Sequence, residues 1–522
     1  MFRWHVWVFA FGIVSSIVSA SDWPQGGGPT GDFQVPDSAP TSWSVIRGEQ
    51  IAWRNELPET GQSPVVVADG RAFFSHYVSV SEEVKVGTDI VACCVDAATG
   101  QPRWQRVIAG QHPLRLSGCF SDSTSPPAVI SNDRVIFINA SGTIACFSLD
   151  GEPIWSRAIL TAGRTIPFLH EGNVVFIRQI YPPDETGNFT HEHEHAQKQE
   201  WTQLQALDID TGEIAWTSEC GVNMGCLPLP QQRSDGIWVA LVGRGGGHGP
   251  PERPEGVSMV SLADGHTLWS LPLEGFMSTM SFGLFENQAV VYHRGECLLV
   301  DAFSGVINHR IDMLNDIPAR LHEGDHWTDA RISIPEGKAG REITQGSNLR
   351  VGDFSFFRSY QRNLLGRINL RSHQVEYLML PVQVLRERDQ PDRALWSAEG
   401  SIPSFKSSAK PRPLQLNEWA LRHNEVRNAR GLRVMGDDRS QGNGWGHIAS
   451  PSPIAAGQHL YVTTMSGLVY VLRWKAERWD EKALVAINDL GPLGTAWTRA
   501  SLSCAGGRLY AHTIDAVIAI GP

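Results

Sequence analysis

The feature that most constrains the fold is a turn, repeated along the chain, in which a glycine stands four residues before a tryptophan. The spacing is clearest in CVDAATGQPRW, which ends at Trp104, and in ALDIDTGEIAW, which ends at Trp216. Weaker copies end at Trp155 and Trp269, and the spacing continues in DAFSGVINH and NLRSHQVEY. Asp and Thr side chains can bond the turn backbone and glycine supplies a positive φ, which predicts a strand, a tight turn and a strand. The ring that recurs after the turn is expected to dock one unit on its neighbour.

A second hairpin stands upstream of each copy. Apolar alternation surrounds an Asp-Gly turn in SPVVVADGRAFF and an Asn-Asp turn in SPPAVISNDRVIFI, a pattern typical of antiparallel hairpins. Two hairpins per repeat give four strands, which is the blade of a β-propeller. The units begin near Ser63, Ser125, Thr165, Gly225, Phe282, Asn348, Ser450 and Ser501. The sequence therefore predicts an all-β, eight-bladed β-propeller of four-stranded antiparallel blades, with seven blades as the alternative.

The last unit begins too close to the C-terminus to hold a fourth strand. Near the other end, Ile51-Ala52-Trp53-Arg54 has the strand-plus-tryptophan pattern of the missing piece. We therefore expect the N-terminal strand to complete the last blade and close the ring, which removes free sheet edges. The propeller should span residues 51–522, after a segment rich in Trp, Pro and Gly over 21–50. The tryptophans expected to dock neighbouring blades are Trp53, Trp104, Trp155, Trp216 and Trp269.

The N-terminus has the pattern of an export signal. An apolar run from Val6 to Val18 follows Arg3 and ends in Val18-Ser19-Ala20, a small-residue pattern at which signal peptidases cut. A membrane anchor is the alternative, but the run is too short to span a bilayer comfortably. Residues 1–20 are therefore predicted to be a cleaved signal peptide, which makes the protein periplasmic or secreted. No later stretch reaches spanning length, so no membrane span is expected in the mature chain.

Cysteine content and charge narrow the class of partner. Export permits disulfides, and among the eight cysteines Cys220 and Cys226 are the expected local bridge, with the other pairings left open. The net charge of −11 has the wrong sign for a protein that binds nucleic acid by neutralising phosphates. The expected partner is instead an envelope or extracellular protein or polymer, and the protein itself is expected to be a monomer.

The repeats resemble those of the pyrroloquinoline-quinone-like (PQQ-like) β-propeller family, whose blades carry an Ala-x-Asp-x-x-x-Thr/x-Gly-x-x-x-Trp docking motif. CVDAATGQPRW and ALDIDTGEIAW match this motif closely, and the resemblance covers nearly all of the mature chain. DWPQGGGPTGDF, over residues 22–33, is similar to the Trp-Pro-rich N-terminal segment of exported bacterial members. The resemblance implies three kinds of role, because the family includes quinoprotein dehydrogenases, the propeller subunit of the outer-membrane β-barrel assembly machinery, and members without assigned activity.

The dehydrogenases of the family hold the quinone with calcium, carboxylate and amide ligands, a general-base Asp and a disulfide between adjacent cysteines. Cys93-Cys94 is the matching pair here, but it directly precedes the Asp-Thr-Gly turn. That position predicts two cysteines within the third strand of the first blade, with the thiols on opposite faces of the sheet. No motif carries calcium ligands or a base over to numbered positions. We therefore predict no cofactor and no catalytic residue, with PQQ and calcium as the alternative.

Insertions indicate where the protein binds. Extra residues stand at 181–200, 243–256, 312–345 and 381–446, in connections expected to emerge at one end of the ring. The insertion over 381–446 is mildly basic, with eleven Lys and Arg against eight Asp and Glu, and carries one predicted short helix over Leu416–Leu432. It is interpreted as a solvated cap over the channel, with a docking element for an acidic partner or glycan as the alternative. The candidate partner-binding residues lie near junctions of loops with inner strands: Arg164, Arg244, His248, His447, Trp497 and Arg499.

Two segments have the His-Glu-x-x-His spacing of zinc peptidases. The first is an alternating tract whose His191, His193 and His195 are a candidate adventitious or structural metal site. The second, from His322 to His326, has Gly and Asp inside the motif, which does not suit the helix that catalytic zinc requires. The sequence therefore predicts a non-catalytic, exported binding or scaffold protein with one loop-decorated face. The alternative is a quinone- or metal-dependent enzyme, such as an alcohol or sugar dehydrogenase, that uses the central funnel.

Overall fold

A computed structural model gives the fold of most of the chain. It describes residues 22–522 except for 60, 79–85, 113, 116–124, 163–165, 179–200, 224, 245–253, 277–280, 324–325, 335–347, 359–363, 381–383, 388–389, 397–450, 465–466 and 492–495. The predicted leader, the histidine tract and the predicted helix over Leu416–Leu432 therefore lie outside the described residues. In the part of the chain that is described, no helix has the length and apolar character required to cross a bilayer.

Eight sheets follow one another along the sequence and form the blades of a propeller. Blades 1 to 4 contain, in turn, Val66–Ala68, Arg71–Tyr77, Ile90–Asp96 and Pro102–Ile108; Val129–Ser131, Arg134–Asn139, Thr143–Ser148 and Pro153–Ala158; Phe168–His170, Asn173–Arg178, Gln203–Asp208 and Ile214–Thr217; and Gln231–Gln232, Trp238–Arg244, Gly256–Ser261 and Thr267–Pro272. Blades 5 to 8 contain Gly283–Phe285, Gln288–His293, Glu296–Asp301 and Ile307–Asp312; Leu349–Val351, Phe354–Arg358, Leu364–Asn369 and Gln374–Met379; Ile454–Ala456, His459–Thr463, Leu468–Arg473 and Leu484–Asp489; and Ser503–Ala505, Arg508–His512, Ala516–Ile520 and Ile51–Glu56. This confirms eight blades rather than seven.

Neighbouring strands within these blades are antiparallel, and the first strands surround the ring axis. The first strand of blade 1 contacts the first strands of blades 2 and 8, and that of blade 2 contacts that of blade 3. Short first strands of two or three residues suit this crowded position. The second and third strands are almost wholly buried because a neighbouring blade covers each of their faces.

The N-terminal strand closes the ring, as the sequence predicted. Ile51–Glu56 pairs antiparallel with Ala516–Ile520, the third strand of blade 8, with Trp53 opposite Ala519. The pairing continues past the strand, where the Leu57 N–H donates to the Asp515 carbonyl at 2.8 Å. The segment that leads into blade 1 is thus hydrogen-bonded into blade 8, which joins the two ends of the chain and gives the third strand of blade 8 its outer partner.

The recurring tryptophan rings lie between blades. A Cβ built on Gly100 of blade 1 would stand 2.7 Å from the ring of Trp53, and one on Gly151 of blade 2 would stand 2.7 Å from the ring of Trp104. The glycine therefore allows the indole of one blade to lie flat on the turn of the next. Trp155 on Gly212, Trp216 on Gly265 and Trp269 on Gly305 repeat the contact. The Trp53 Nε1–H also donates to the Ala97 carbonyl at 3.0 Å.

The Gly-to-Trp spacing is lost after blade 5 for two reasons. Two histidines first replace the glycine and the tryptophan at the contact between blades, and the tryptophan then comes from the following blade instead of the preceding one. His309 of blade 5 lies 4.6 Å, centroid to centroid, from His373 of blade 6, which adopts the positive φ of 61° that glycine has in the earlier turns. Between blades 6 and 7 the tryptophan comes from the later blade, since the Trp479 Nε1–H donates to the Leu365 carbonyl at 2.9 Å. Neighbouring blades are thus docked on each other through three different sequence patterns.

The segment before blade 6 differs from the expectation of a loop at the channel mouth. Ile317–Glu323 and His326–Ile332 form a hairpin that extends blade 6, through parallel pairing of Ala319 with Tyr377 on the outer strand. The placement at the mouth was wrong for these residues because the unpaired outer edge of blade 6 offered hydrogen bonds that a solvated loop lacks. In the insertion over 381–446, Val384–Glu387 and Gln390–Trp396 form a separate two-stranded hairpin.

The segment before the closing strand runs across one end of the channel. Trp23 exchanges two backbone hydrogen bonds of 2.8 Å with Val67 of blade 1, and the Ile130 N–H of blade 2 donates to the Pro24 carbonyl at 2.7 Å. Further on, Gln34–Val35 pairs in parallel with the first strand of blade 7. These partners lie next to the turns between first and second strands. We call this end of the ring the N-terminal mouth.

The opposite end of the ring is where the second strands finish. We call it the arginine mouth, and it is defined by the last residues of the eight second strands: Tyr77, Asn139, Arg178, Arg244, His293, Arg358, Thr463 and His512. The connections to the third strands, and those from each fourth strand to the next blade, leave from this end. The strands that precede residues 181–200 and 245–253 therefore end at the arginine mouth.

Candidate functional site

The arginine mouth carries polar side chains at each of its eight defining positions. Three are arginines and two are histidines, whereas none is a carboxylate. A buried carboxylate, Glu59, stands in the connection between the closing strand and blade 1. The eight defining positions therefore carry guanidinium groups and no carboxylate, whereas the carboxylates at this end of the ring come from connections and from fourth strands, such as the buried Asp489. The chain as a whole has a net charge of −11.

Arg244 has the least ordinary environment of these residues. Its side chain ends the second strand of blade 4 and is only 3% exposed, yet its Nε has no hydrogen-bond partner among the described residues. A guanidinium keeps its charge at any physiological pH, and burying a charge is costly unless it is paired. An anionic group that reached this end of the strand would supply the missing hydrogen-bond acceptor.

Arg358 occupies the equivalent position in blade 6 and connects this blade to the next. Its Nη1 donates to the Thr463 carbonyl at 3.4 Å and its Nη2 to the Pro451 carbonyl at 3.2 Å, both at blade 7. Complete burial lowers the pKa of this guanidinium to about 10. The side chain therefore remains charged at neutral pH and places that charge between two blades.

His512 and Ser63 join blades 8 and 1 at the same end of the ring. The Nδ1 of His512 lies 3.2 Å from the Ser63 nitrogen and 3.1 Å from the Ser63 carbonyl oxygen, and its ring meets Phe74 edge-on at a centroid distance of 5.9 Å. Burial, with a smaller contribution from His76, lowers the pKa of His512 to about 3. The imidazole is thus neutral in the folded protein.

The buried histidine predicts a loss of stability in mild acid. The unfolded chain has a histidine pKa near 6.5, so between about pH 6.5 and 3 the unfolded state binds a proton that folded His512 does not. Between about pH 6.5 and pH 5 the free energy of unfolding should therefore fall by about 2 kcal/mol more in the natural protein than in His512→Asn. The asparagine side chain can hydrogen-bond the same backbone groups of Ser63 and does not titrate. Urea unfolding at the two pH values measures the difference. Equal losses in the two proteins would contradict the assignment.

Of the other candidates from the sequence, Trp497 and Arg499 lie together on blade 8. They are 4% and 7% exposed, and the connection that holds them is fixed by a bond from the Thr498 hydroxyl to the His512 carbonyl at 2.6 Å. Gln62 accepts from the Arg499 N–H at 2.9 Å. Blades 4 and 8 are opposite in a ring of eight, so these residues and Arg244 stand on opposite sides of the arginine mouth. Arg164, His248 and His447, as well as His191, His193 and His195, lie outside the described residues.

Arg178 and Arg358 are residues of this mouth that the sequence reasoning missed. A signal was present, because apolar strands end in arginine in NVVFIR, WVALVGR and FSFFR, and these are the second strands of blades 3, 4 and 6. An arginine after an apolar run is usual at the end of a strand. Only the shared position within the blade shows that the three residues belong to one end of the ring.

The cysteines do not form the bridges considered from the sequence. Cys93 and Cys94 lie in the third strand of blade 1 as thiols whose pKa values burial raises to about 12, with Cys93 in the core towards blade 8 and Cys94 in the core towards blade 2. Cys220 and Cys226 are also buried thiols, so the expected local disulfide is not formed. Cys226 accepts a contact of 3.4 Å from the Gly243 N–H. Packing within the blades accounts for these side chains.

The described residues of the arginine mouth do not suit the calcium ion that the family's dehydrogenases hold with the quinone. Calcium takes six to eight oxygen ligands, mainly carboxylates and carbonyls. Within the described ranges, no three His, Cys, Asp or Glu side chains come together as a metal site, and the groups that face the arginine mouth are mostly guanidinium, imidazole and amide. These described groups fit an anion and do not fit calcium.

Comparisons with known proteins agree with this architecture. A family model described as outer membrane protein assembly factor BamB matches residues 88–340. Among solved structures, quinohemoprotein alcohol dehydrogenase ADHIIG from Pseudomonas putida HK5 is 11% identical, with a TM-score of 0.51 over 96% of this chain and 80% of its own. BamB from Moraxella catarrhalis is 12% identical, with a TM-score of 0.38 over 75% of this chain and 95% of its own. A search of curated proteins finds no match. At 11% identity, the likeness to the dehydrogenase structure shows the fold alone.

Proposed function

Since this chain belongs to the β-propeller family with PQQ-like repeats, we propose that it is an exported, non-catalytic scaffold that binds an acidic protein or polymer of the cell envelope at the arginine mouth. Rigid blades hold the second-strand ends in place, and the partner contributes carboxylate or phosphate groups. Export is supported by the apolar leader, and a protein partner agrees with the assembly-factor description of the matching family model.

The observation that carries the proposal is the buried side chain of Arg244, whose Nε has no hydrogen-bond partner in the described part of the chain. Charge-assisted hydrogen bonds from arginine to carboxylate or phosphate are about twice as strong as neutral ones, and arginine is enriched at the energetic centre of interfaces. A guanidinium that is already buried loses little further hydration when an anion arrives. It also loses little side-chain entropy, because packing has already fixed its conformation.

The proposal predicts that Arg244→Gln weakens the binding of an acidic probe by at least about tenfold, since removal of one partner of a buried charge pair costs about 2–5 kcal/mol. A fluorescent oligo-aspartate peptide is the probe, and fluorescence anisotropy measures its dissociation constant. Glutamine keeps much of the length of the side chain, and a thermal melt of the variant checks the fold.

Arg103→Gln is the matched control. Arg103 lies near the start of the outer strand of blade 1, is 40% exposed and pairs with Asp96 at 2.7 Å, at the end of the blade away from the arginine mouth. Its replacement removes the same charge from the protein but should leave the affinity unchanged. Equal weakening by the two substitutions would show that overall charge, rather than this site, attracts the peptide. Absence of saturable binding would contradict the proposed function.

A further inference from the structure

A cavity of about 230 Å³ lies inside the channel at the N-terminal mouth. The N-terminal segment covers it with residues 30–34, where this segment crosses from blade 3 towards blade 7. Its walls come from the first strands of blades 4, 5 and 6 and include Gln231, Asn348 and Arg350. The cavity is at the opposite end of the ring from the arginine mouth, so an inference about it is independent of the proposed function.

Two opposite charges face this cavity. Arg350 donates from Nη1 to the Gly352 carbonyl at 3.1 Å, which uses one of its five N–H groups. Asp32 of the covering segment accepts from the Thr30 hydroxyl at 2.6 Å and from the Gln34 amide at 2.9 Å. Asp32 also acts on Arg350 through its charge, partly offsetting the lowering of the arginine pKa by burial. Arg350 and Asp32 together carry no net charge, and they offer the cavity both hydrogen-bond donors and acceptors.

The amide groups of the wall are held in fixed orientations. The Gln231 Nε2–H donates to the Phe282 carbonyl at 2.7 Å, and its Oε1 accepts from the Leu284 N–H. The Asn348 Nδ2–H donates to the Ser281 carbonyl at 2.8 Å. Fixed polar groups of this kind orient a ligand without a large loss of side-chain entropy on binding.

One aromatic ring completes the lining. Trp238 begins the second strand of blade 4 and is 37% exposed, which is unusual for so large an apolar side chain. The His170 ring packs against it with centroids 5.5 Å apart. Trp238 thus presents supported apolar surface beside the polar wall, a combination that suits a ligand with both hydroxyl groups and C–H faces.

We propose that this cavity binds an uncharged polyhydroxylated ligand of about one sugar ring. Hydroxyl groups both donate and accept, so they match a wall that holds a guanidinium, a carboxylate and amides. A charged ligand would leave one member of the Asp32–Arg350 pair opposed by a like charge. The volume is below the range of roughly 300–1,000 Å³ typical of pockets for drug-sized ligands, which limits the size of the occupant.

Titration with D-glucose, D-galactose and N-acetyl-D-glucosamine tests the proposal, with tryptophan fluorescence and calorimetry as readouts. At least one sugar should bind with a dissociation constant of about 1 mM or tighter. Trp238→Phe should remove most of the fluorescence change, and Arg350→Ala should weaken binding by about tenfold or more. Arg371→Ala is the control, because this arginine of blade 6 is 55% exposed and pairs with Asp353 and Glu286.

Three results would overturn the proposal. One is the absence of saturable binding up to about 10 mM of each sugar, ten times the expected constant. Another is binding that Arg350→Ala and Asp32→Asn leave unchanged, with thermal melts showing that both variants fold. The third is a stronger response to acetate or to glycine, which represent anionic and zwitterionic ligands. Affinity for the oligo-aspartate peptide should not change in these variants, which separates this site from the arginine mouth.

Discussion

Replacing Trp53 with alanine is expected to lower the free energy of unfolding by about 3–5 kcal/mol, the range for large-to-small changes at buried aromatic side chains. The indole is 8% exposed, lies flat on Gly100 and donates to the Ala97 carbonyl. It also packs at 6.1 Å, centroid to centroid, on Tyr510 of its own blade. Alanine would leave a cavity at the seam between the last blade and the first. Urea unfolding followed by circular dichroism measures the change.

A matched pair of conservative variants separates the packing of the ring from its hydrogen bond. Trp216 is also 8% exposed and lies on Gly265, but within the described ranges its Nε1 has no hydrogen-bond partner. Phenylalanine keeps an aromatic ring and removes the N–H group. Trp53→Phe should therefore cost about 1 kcal/mol more than Trp216→Phe, the typical net contribution of one hydrogen bond. If Trp53→Ala unfolded at the same urea concentration as the natural protein, the docking role of the ring would be wrong.

The eight blades could be predicted because their signal is local. A turn glycine and the ring four residues later belong to one short pattern, and that pattern sets both the backbone angle and the contact between blades. The prediction of ring closure used only part of this signal, since Trp53 stands in a strand-like segment but has Glu49, and not glycine, four residues before it. The signal fades where His309 packs on His373 and where Trp479 reaches back to blade 6, because there the partners no longer share a pattern.

The path of the N-terminal segment could not be predicted for the opposite reason. Its contacts join residues far apart in the sequence, such as Gln34 with Ala455, and no periodic pattern in the sequence indicates these contacts. The glycines in DWPQGGGPTGDF have a steric explanation that only the structure supplies. A Cβ on Gly26 would stand 2.4 Å from Ile166 and 2.7 Å from Pro127, so the backbone fits against blades 2 and 3 only without a side chain.

The candidate site was predictable only in part. Arg244, Trp497 and Arg499 were chosen from their places near loop junctions, and the structure puts all three at the arginine mouth in buried positions. Arg178 and Arg358 were missed because equivalence between blades requires a register that the degenerate repeats do not fix. The cavity at the N-terminal mouth depends on the unpredicted segment, so Asp32 had no sequence signal at all.

Removal of residues 22–56 is expected to prevent cooperative folding, because this segment both covers the channel and supplies the closing strand. Its buried aromatic side chains are Trp23, Phe33, Trp43 and Trp53. At about 1.5–3 kcal/mol for each fully buried side chain, they contribute roughly 6–12 kcal/mol, comparable with the total stability of about 5–15 kcal/mol of a typical protein. A chain that begins at residue 57 should show no cooperative melt and should aggregate through the exposed third strand of blade 8.

Adding the removed segment back as a separate peptide tests whether the loss of folding is specific to that segment. A synthetic peptide of residues 22–56 should restore a cooperative melt to the shortened chain, because its strand can pair with Ala516–Ile520. A peptide with Trp53→Ala should restore it less well, whereas one with Arg47→Ala should act like the natural peptide, since Arg47 pairs with Glu49 inside the segment. A chain that begins at residue 22 is the control for truncation itself. If the chain from residue 57 melted cooperatively at the same temperature without peptide, the ring would not depend on this segment for its closure.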